Sequence, residues 1–196
     1  MSLKASVLKC PNCGGTINMT SRVCEYCRTP VFIRRTQDIG GKTLAEVSRY
    51  VQFYKDFLKS KTGESVETLN ALGICLLKRG TYEEAAKYFE KAVSLVPDNG
   101  EPFYYLALAN LRKKRPYLHT VSKIKQIVQN LESALTYSDE GKYYYLLYLI
   151  QKDFYDKKRL RSGKNAEDLE SDAIINEVDD ADIAECIEYC GLTGVY

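Results

Sequence analysis

Four of the seven cysteines in the chain lie between residues 10 and 27, where they could share one metal ion. They form two Cys-x-x-Cys pairs, Cys10 with Cys13 and Cys24 with Cys27, and ten residues separate the pairs. Each pair can bind from a tight turn, and four thiolates complete a tetrahedral shell around Zn²⁺ with no open position. The pairs therefore predict a structural zinc ion with these four ligands, although iron could occupy the same thiolates.

Disulfide bonds and redox chemistry are the alternatives for these cysteines. The N-terminal residues MSLKASVLK lack the apolar segment of a secretory signal, and no run of 18 apolar residues could span a membrane. We therefore expect a cytoplasmic protein with reduced thiols. A thioredoxin-type motif would need a surrounding β-α-β pattern, which the sequence does not have.

The first cysteine pair lies in a segment that resembles a zinc ribbon. Cys10-Pro11-Asn12-Cys13-Gly14-Gly15 is similar to a ribbon knuckle, whereas the second knuckle has Arg28 where ribbons usually have glycine. The β-prone stretches around the knuckles are 6–8, 16–19 and 31–35. We expect a small β-rich ribbon over residues 1–40, and bound metal would supply the stability that so short a segment cannot gain from a core.

The elements that follow the ribbon are predicted to be helices. Residues 66–99 read VETLNALGICLLKRGTYEEAAKYFEKAVSLVPDN and contain two amphipathic segments separated at Gly80, with Thr81 as the expected N-cap of the second. The block resembles a tetratricopeptide repeat, whose signature positions fall on Leu72, Gly73, Leu76, Ala85, Phe89, Ala92 and Pro97. The resemblance implies two antiparallel helices that cross closely at Gly73 and Ala85 beside the Phe89 ring.

Further helix pairs are predicted on both sides of this block. Upstream, apolar residues recur at helical spacing from Leu44 to Leu58, with Thr43 as the N-cap. Downstream, a helix over 101–110 and a second helix over 121–137 flank the basic loop RKKRPYLHT, and a third first-helix begins near Gly141 and extends towards Lys158. The predicted fold is therefore mainly α, with a helical-repeat α-solenoid over residues 41–164.

Residues 165–196 are predicted to form acidic capping helices. One helix is expected over 166–178, with Asn165 as N-cap and an inward face that includes Ile174, and another over 181–190, with Asp180 as N-cap. After Lys164 the chain has no Lys or Arg and carries ten acidic residues, a net charge of −10, which leaves +12 on residues 1–164. The tail could cap the last repeat or lie across the basic rim of the repeats.

The tetratricopeptide resemblance also implies a concave groove lined by the first helix of each pair. The positions expected to contact a partner are Asn70, Ile74, Lys78, Tyr104, Leu108, Arg112, Tyr144, Tyr148 and Lys152. Such a surface suits an extended or helical peptide with bulky side chains and some acid. The alternative is that these tyrosines pack against neighbouring helices or the tail, because tyrosine is readily half-buried.

The functional prediction is a non-enzymatic protein-interaction module or scaffold. The single histidine, His119, has no obvious Ser, Cys or Asp partner in the local sequence, and no phosphate-binding glycine motif is present. Nucleic-acid binding is the main alternative, because residues 1–42 carry a net charge of +5 and the loop RKKRP adds more. A second copy of the chain could also cover the apolar ends of so short a repeat array.

Overall fold

The computed structural model describes residues 8–17, 23–29, 31–59 and 63–194. The chain divides into two compact units, Met1–Val96 and Pro97–Tyr196, called here the N-terminal and C-terminal units. In the described part of the chain, no helix combines the length and apolar character that a membrane crossing requires. The sequence predicts boundaries at residues 40 and 164, which separate the ribbon, the helical repeats and the acidic tail. These boundaries differ in kind from the division into compact units, and they remain a prediction.

The N-terminal unit contains a minimal hairpin followed by helices. Its strands pair antiparallel with Leu8 opposite Ile17. Its elements in chain order are β1 Leu8–Lys9, β2 Thr16–Ile17, a 3₁₀ turn Thr36–Ile39, α1 Leu44–Leu58, α2 Val66–Arg79 and α3 Tyr82–Leu95. Helix α2 packs against both α1 and α3, which is why its residues are buried around almost its whole circumference.

Helix α1 begins where the sequence predicts. The Glu46 amide donates to Thr43 Oγ1 at 3.3 Å, and the Thr43 amide donates to the Glu46 carboxylate at 2.7 Å, which completes a capping box. The hydrogen bonds from Thr43 also lower the pKa of Glu46. Two of the orphan amides at this helix end are thereby satisfied.

The predicted strand over residues 31–35 is wrong. The segment bends, and its main-chain groups bond to a side chain rather than to a neighbouring strand. Tyr54 Oη donates to the Val31 carbonyl at 2.5 Å and accepts from the Ile33 amide at 2.9 Å. Val31 and Ile33 are both buried. The β-branched residues that suggested a strand therefore serve as anchors that attach the ribbon to α1. The predicted stretch 6–8 falls mostly, and the stretch 16–19 partly, outside the described residues.

The close crossing of α2 and α3 follows the repeat pattern. A Cβ added to Gly73 would lie 2.4 Å from the Phe89 ring, and Phe89 and Ala85 are fully buried. Thr81 is the N-cap residue of α3, as predicted, but its side chain makes no capping hydrogen bond. Its hydroxyl instead donates to the Leu76 carbonyl at 3.2 Å, because the turn after α2 brings that carbonyl close.

The C-terminal unit is built of paired helices. Its elements are α4 Gly100–Leu111, a 3₁₀ turn Pro116–Leu118, α5 Val121–Tyr137, α6 Gly141–Ile150, a π-helical segment Gln151–Asp156, α7 Ala166–Ile175 and α8 Asp180–Tyr189. Helix α4 packs on α5, and α6 packs on α7. Added Cβ atoms on Gly100 and Gly141 would lie 2.7 Å and 2.6 Å from the carbonyls of Ala134 and Ala173, so both pairs close through a glycine at the start of the first helix.

The tail helices differ in detail from their prediction. Helix α7 ends at Ile175 rather than Val178, and Ile174 is 69% exposed rather than inward, because the buried positions of α7 are confined to one side of a short helix. Asp179, not Asp180, caps α8, since its carboxylate accepts from the Asp182 amide at 2.7 Å. The predicted pairing of an acidic helix with the last repeat nevertheless corresponds to α7 on α6.

Candidate metal centre and helix-binding face

The four predicted ligands come together in one cluster. Their sulfur atoms all lie within 4.8 Å of one another. The Sγ–Sγ distance is 3.7 Å both between Cys10 and Cys27 and between Cys13 and Cys24, too long for a disulfide. A tetrahedral ion with metal–sulfur bonds of about 2.3 Å would have edges of about 3.8 Å. Two sulfur–sulfur distances match this edge and all lie within 4.8 Å, so the cluster could hold a metal ion.

Both knuckles use the same main-chain hydrogen bonds. In the first, the Gly14 amide donates to the Cys10 carbonyl at 2.9 Å, and in the second the Arg28 amide donates to the Cys24 carbonyl at 2.9 Å. Gly14 has φ of +76° and Arg28 has φ of +58°. The position that departs from the ribbon pattern thus adopts the glycine conformation with an arginine, which carries a steric cost.

Polar groups surround the sulfur of Cys27. The Asn12 side-chain amide lies 3.6 Å from this sulfur and donates to Thr29 Oγ1 at 3.0 Å, while Thr29 Oγ1 lies 3.4 Å from the sulfur. The hydrogen bond with the Thr29 side chain is the main reason that the pKa of Cys27 is lowered to about 5. A metal ion requires thiolates. In the cluster without an ion, hydrogen bonds to neighbouring cysteine side chains raise the pKa of Cys13 to about 12, and burial raises the pKa of Cys10, so the low pKa belongs to Cys27 and not to the whole set.

The residues predicted to line a groove fall into different environments. Asn70, Ile74, Tyr104 and Leu108 are buried, Lys78, Tyr144 and Tyr148 are half-buried, and Arg112 and Lys152 are exposed. The first three of the nine belong to the N-terminal unit and the other six to the C-terminal unit. Their contact with a partner remains a prediction. Tyr104 is fully buried, so its predicted contact with a partner depends on which element of the chain covers it.

Helix α8 covers Tyr104. It packs on α4 and α6, the first helices of their pairs. Tyr104 Oη donates to the Glu185 carboxylate at 2.6 Å, and Cys186 Sγ lies 3.7 Å from the Lys142 carbonyl. Burial raises the pKa of Tyr104 well above its ordinary value, so its hydroxyl remains a donor at neutral pH. Glu185 is only 4% exposed, and the Tyr104 hydroxyl is the hydrogen-bond donor that its buried carboxylate requires.

The basic loop after α4 also contacts α8. Lys113 Nζ forms an ion pair with Glu188 and lies 4.9 Å from the centre of the Tyr189 ring. A Cβ added to Gly191 would lie 2.6 Å from the Lys113 carbonyl, so the chain after α8 runs close against the loop. We call the surface marked by Tyr104, Lys113 and Lys142 the α8-binding face.

Asp153 is a site residue that the sequence prediction missed. It lies in the π-helical segment, is fully buried, and forms ion pairs with Arg115 and with Lys157 Nζ at 2.6 Å. Its second oxygen accepts from the Tyr117 amide at 3.1 Å. Burial raises its pKa, but these partners outweigh that effect and hold the pKa below its usual value. An aspartate directly before Phe154 and Tyr155, in an apolar helix, was the available signal.

His119 contacts the main chain at the start of the basic loop. Its ring nitrogen Nε2 lies 3.2 Å from the Leu111 carbonyl. Burial is the main cause of a lowered pKa, so the ring is neutral at pH 7 and Nε2–H donates to that carbonyl. The contact joins the two ends of the basic loop.

Comparison with known proteins supports the repeat assignment over one segment. Residues 66–99, which contain α2 and α3, match the model of the tetratricopeptide repeat. No curated protein and no solved structure matches the chain. Together with the helix pairs and the cysteine cluster, this match defines a mainly α protein with a tetratricopeptide repeat and an N-terminal four-cysteine segment that could bind a metal ion.

Proposed function

We propose that the protein is a non-enzymatic interaction module that holds a protein partner on its helix pairs, with a structural zinc ion in the ribbon. The observation that carries the proposal is that an acidic amphipathic helix, α8, already occupies the first-helix side of the C-terminal unit. Tetratricopeptide repeats commonly mediate protein interactions, and the match over residues 66–99 supports the same role here.

The chemistry of the α8-binding face supports a particular class of partner. The face offers a buried tyrosine hydroxyl to a carboxylate and a lysine to a second carboxylate and an aromatic ring. Helix α8 meets it with Glu185, Glu188 and Tyr189, while Cys186 and Cys190 are fully buried. A partner that replaced or extended this contact would be a helix with small apolar residues on one side and acids at its edge.

Site-specific photo-crosslinking on the full chain tests this proposal. A photoreactive residue at Tyr148, a half-buried predicted groove position on α6, should give discrete adducts with a protein partner in native lysate. In the variant Glu185→Ala with Glu188→Lys, whose α8 has lost its contacts to Tyr104 and Lys113, an excess of a synthetic peptide of residues 179–194 should suppress those adducts, because it carries the side chains that bind the face formed by α4 and α6. Position 175 on α7, where Ile175 is 74% exposed, provides the matched control. Equal adducts at both positions, or adducts that the peptide does not reduce, would contradict the proposal.

Nucleic-acid binding is retained as a second proposal because of a groove beside the first knuckle. This groove, of about 580 Å³, lies between the ribbon and α1, and Lys9 and Arg49 line it together with Asp56. If it binds nucleic acid, a single-stranded oligonucleotide should bind with an affinity that falls steeply with salt, since phosphate contacts release counterions. A Lys9→Gln substitution should weaken that binding. Absence of binding at low salt would exclude this function.

A further inference from the structure

A second candidate ligand site lies in the C-terminal unit, in the loop between α4 and α5. Here a concave pocket of about 310 Å³ is lined by three cationic side chains, those of Arg112, Lys114 and Lys123. None of the seven lining residues is an aspartate or a glutamate; the other four are Asn110, Leu118, His119 and Thr120. A concave surface lined by charge of one sign concentrates counter-ions.

The loop divides its four cations into two pairs. Arg115 is held by the buried Asp153, and Lys113 is held by Glu188 of α8. The other two, at positions 112 and 114, line the pocket. The ion pairs of Lys113 and Arg115 therefore hold the loop in place, and Arg112 and Lys114 line the pocket.

The backbone of the loop is what produces this alternation. Arg112 and Lys113 have φ of +56° and +52°, a conformation that residues other than glycine rarely adopt. The chain consequently turns sharply at the end of α4. Contacts at Asp153 and at the Leu111 carbonyl, to which His119 donates, hold the turn on both sides. A turn held by so many contacts gives the pocket a preformed shape.

Lys123 completes the pocket from α5. Its Nζ donates to Asn110 Oδ1 at 2.6 Å and to Gln126 Oε1 at 3.1 Å, both of which are neutral amide oxygens. Those two hydrogen bonds orient the ammonium group without neutralising its charge. Thr120, the N-cap of α5, also lines the pocket, and the helix dipole adds to a potential that the side-chain cations already set.

We propose that this pocket binds a phosphate monoester or inorganic phosphate, a tetrahedral oxyanion that carries close to two negative charges at neutral pH. Three cations around one concave space match a dianion better than a single carboxylate, and a guanidinium group binds phosphate oxygens in a bidentate manner. The volume is about ten times the roughly 30 Å³ of one water molecule, enough for a phosphate group with part of its hydration shell.

The shape of the site distinguishes a monoester from a nucleic-acid backbone. Phosphodiesters carry one charge each and are bound along an extended basic track. The pocket instead has three cations in the lining of one concave space. Free phosphate and a phosphorylated side chain of a peptide are two sources of the same chemistry, and the test separates them.

His119 provides a direct reporter, because it is the only histidine in the chain and it lines the pocket. In the metal-loaded full-length protein, inorganic phosphate should shift the ring proton signals of His119 in a saturable manner, at constant ionic strength set with chloride. A bound dianion stabilises the imidazolium form, so the pKa of His119 should rise on binding. Phosphoserine within a short peptide should bind more tightly than inorganic phosphate if the natural source is a protein side chain.

Charge-removing variants test which residues form the site. Lys114→Gln and Lys123→Gln should each weaken phosphate binding by about two- to fivefold, the range expected for one exposed charge contact. Lys125→Gln, an exposed lysine of α5 outside the pocket lining, is the matched control and should bind as the unmodified protein does. A retained thermal unfolding temperature shows that the variants remain folded.

Three outcomes would overturn the proposal. The first is a His119 shift that chloride alone reproduces. The second is equal weakening by the control substitution at Lys125, which would indicate only general attraction to a basic surface. The third is an oligonucleotide without terminal phosphates that binds this pocket more tightly than a monoester of equal charge.

Discussion

At the scale of single residues, the two cysteine knuckles differ in one position that matters for their stability. Gly14 and Arg28 occupy equivalent places and both have positive φ. Glycine adopts this conformation at little cost, whereas for arginine it costs roughly 1–2 kcal/mol. The clustering of the four cysteines was predictable from their spacing, but the equivalence of the two turns became visible only through their main-chain hydrogen bonds.

Arg28→Gly should therefore stabilise the metal-bound ribbon by up to about 1 kcal/mol, after allowance for the greater freedom that glycine gives the unfolded chain. Because metal binding and folding of such a segment are coupled, the gain should appear as higher metal affinity in competition with a chelator. Gly14→Ala provides the opposite case. No atom lies within 4 Å of its added Cβ, so a loss of affinity there reports backbone conformation alone. Weaker binding by Arg28→Gly would contradict the interpretation.

The lone histidine carries a second prediction. Burial lowers the pKa of His119 from 6.5, and the nearby charges of Lys114 and Lys123 act in the same direction, although carbonyls of Leu111 and Lys114 oppose it. The folded state therefore binds protons less readily than the unfolded state. The stability contributed by His119 should be fully present above pH 6.5 and should be lost as the pH falls through the lower folded-state pKa. An NMR titration of this ring in phosphate-free buffer should give a midpoint below 6.5; a midpoint above 6.5 would show that the burial argument fails.

At the scale of elements, local sequence patterns located the helices well and their partners poorly. Helices α1 and α5 have the predicted bounds, because a threonine N-cap and a regular apolar face mark each one. Residues 31–35 fail as a strand because side chains take their main-chain hydrogen bonds. Tyr54, more than twenty positions away, bonds to Val31 and Ile33, and Asp38 accepts from the next two amides. Asp153 of the π-helical segment likewise pairs with Arg115, which lies outside any local sequence window. Propensity cannot register such distant partners.

The crossing of α2 and α3 gives the prediction at this scale. Gly73→Ala should lower the free energy of unfolding by about 1–3 kcal/mol, because its new methyl group would meet the fully buried Phe89 ring. Gly41→Ala is the matched control, since its added Cβ has no atom within 4 Å. Urea unfolding of both variants provides the measurement. Equal effects of the two substitutions would mean that the close crossing does not limit packing.

At the scale of the whole molecule, the two compact units are expected to respond differently to metal removal. A tetrathiolate site of this kind can contribute roughly 10–16 kcal/mol at neutral pH, far more than a short hairpin gains from its own packing. Chelation should therefore abolish amide-exchange protection at residues 8–29, where the structure describes them, while α4 and α5 remain protected. Metal analysis of the purified protein identifies the ion. If the amides of the ribbon stayed protected from exchange after verified metal removal, a structural role for the metal ion would be contradicted.

The sequence left two interpretations of the acidic tail, a cap on the last repeat or a segment across the basic rim. The two tail helices pack in different places. Helix α7 pairs with α6 as a second helix would, whereas α8 lies on α4 and α6. Charge asymmetry predicted attraction to the basic loop, and the Lys113–Glu188 ion pair agrees with it. The charge asymmetry could not identify Tyr104 as the partner of Glu185, because that contact depends on which face of α4 is covered by α8.

The most direct test of the proposed function measures whether the α8-binding face accepts a helix supplied by another molecule. In the full-length chain, Glu185→Ala with Glu188→Lys removes the Tyr104 hydrogen bond and reverses the charge that meets Lys113. If the variant remains folded by circular dichroism, a labelled peptide of residues 179–194 should bind it saturably and bind the unmodified chain much more weakly. No binding to the folded variant, or equal binding to both proteins, would contradict the proposal that this face binds acidic helices.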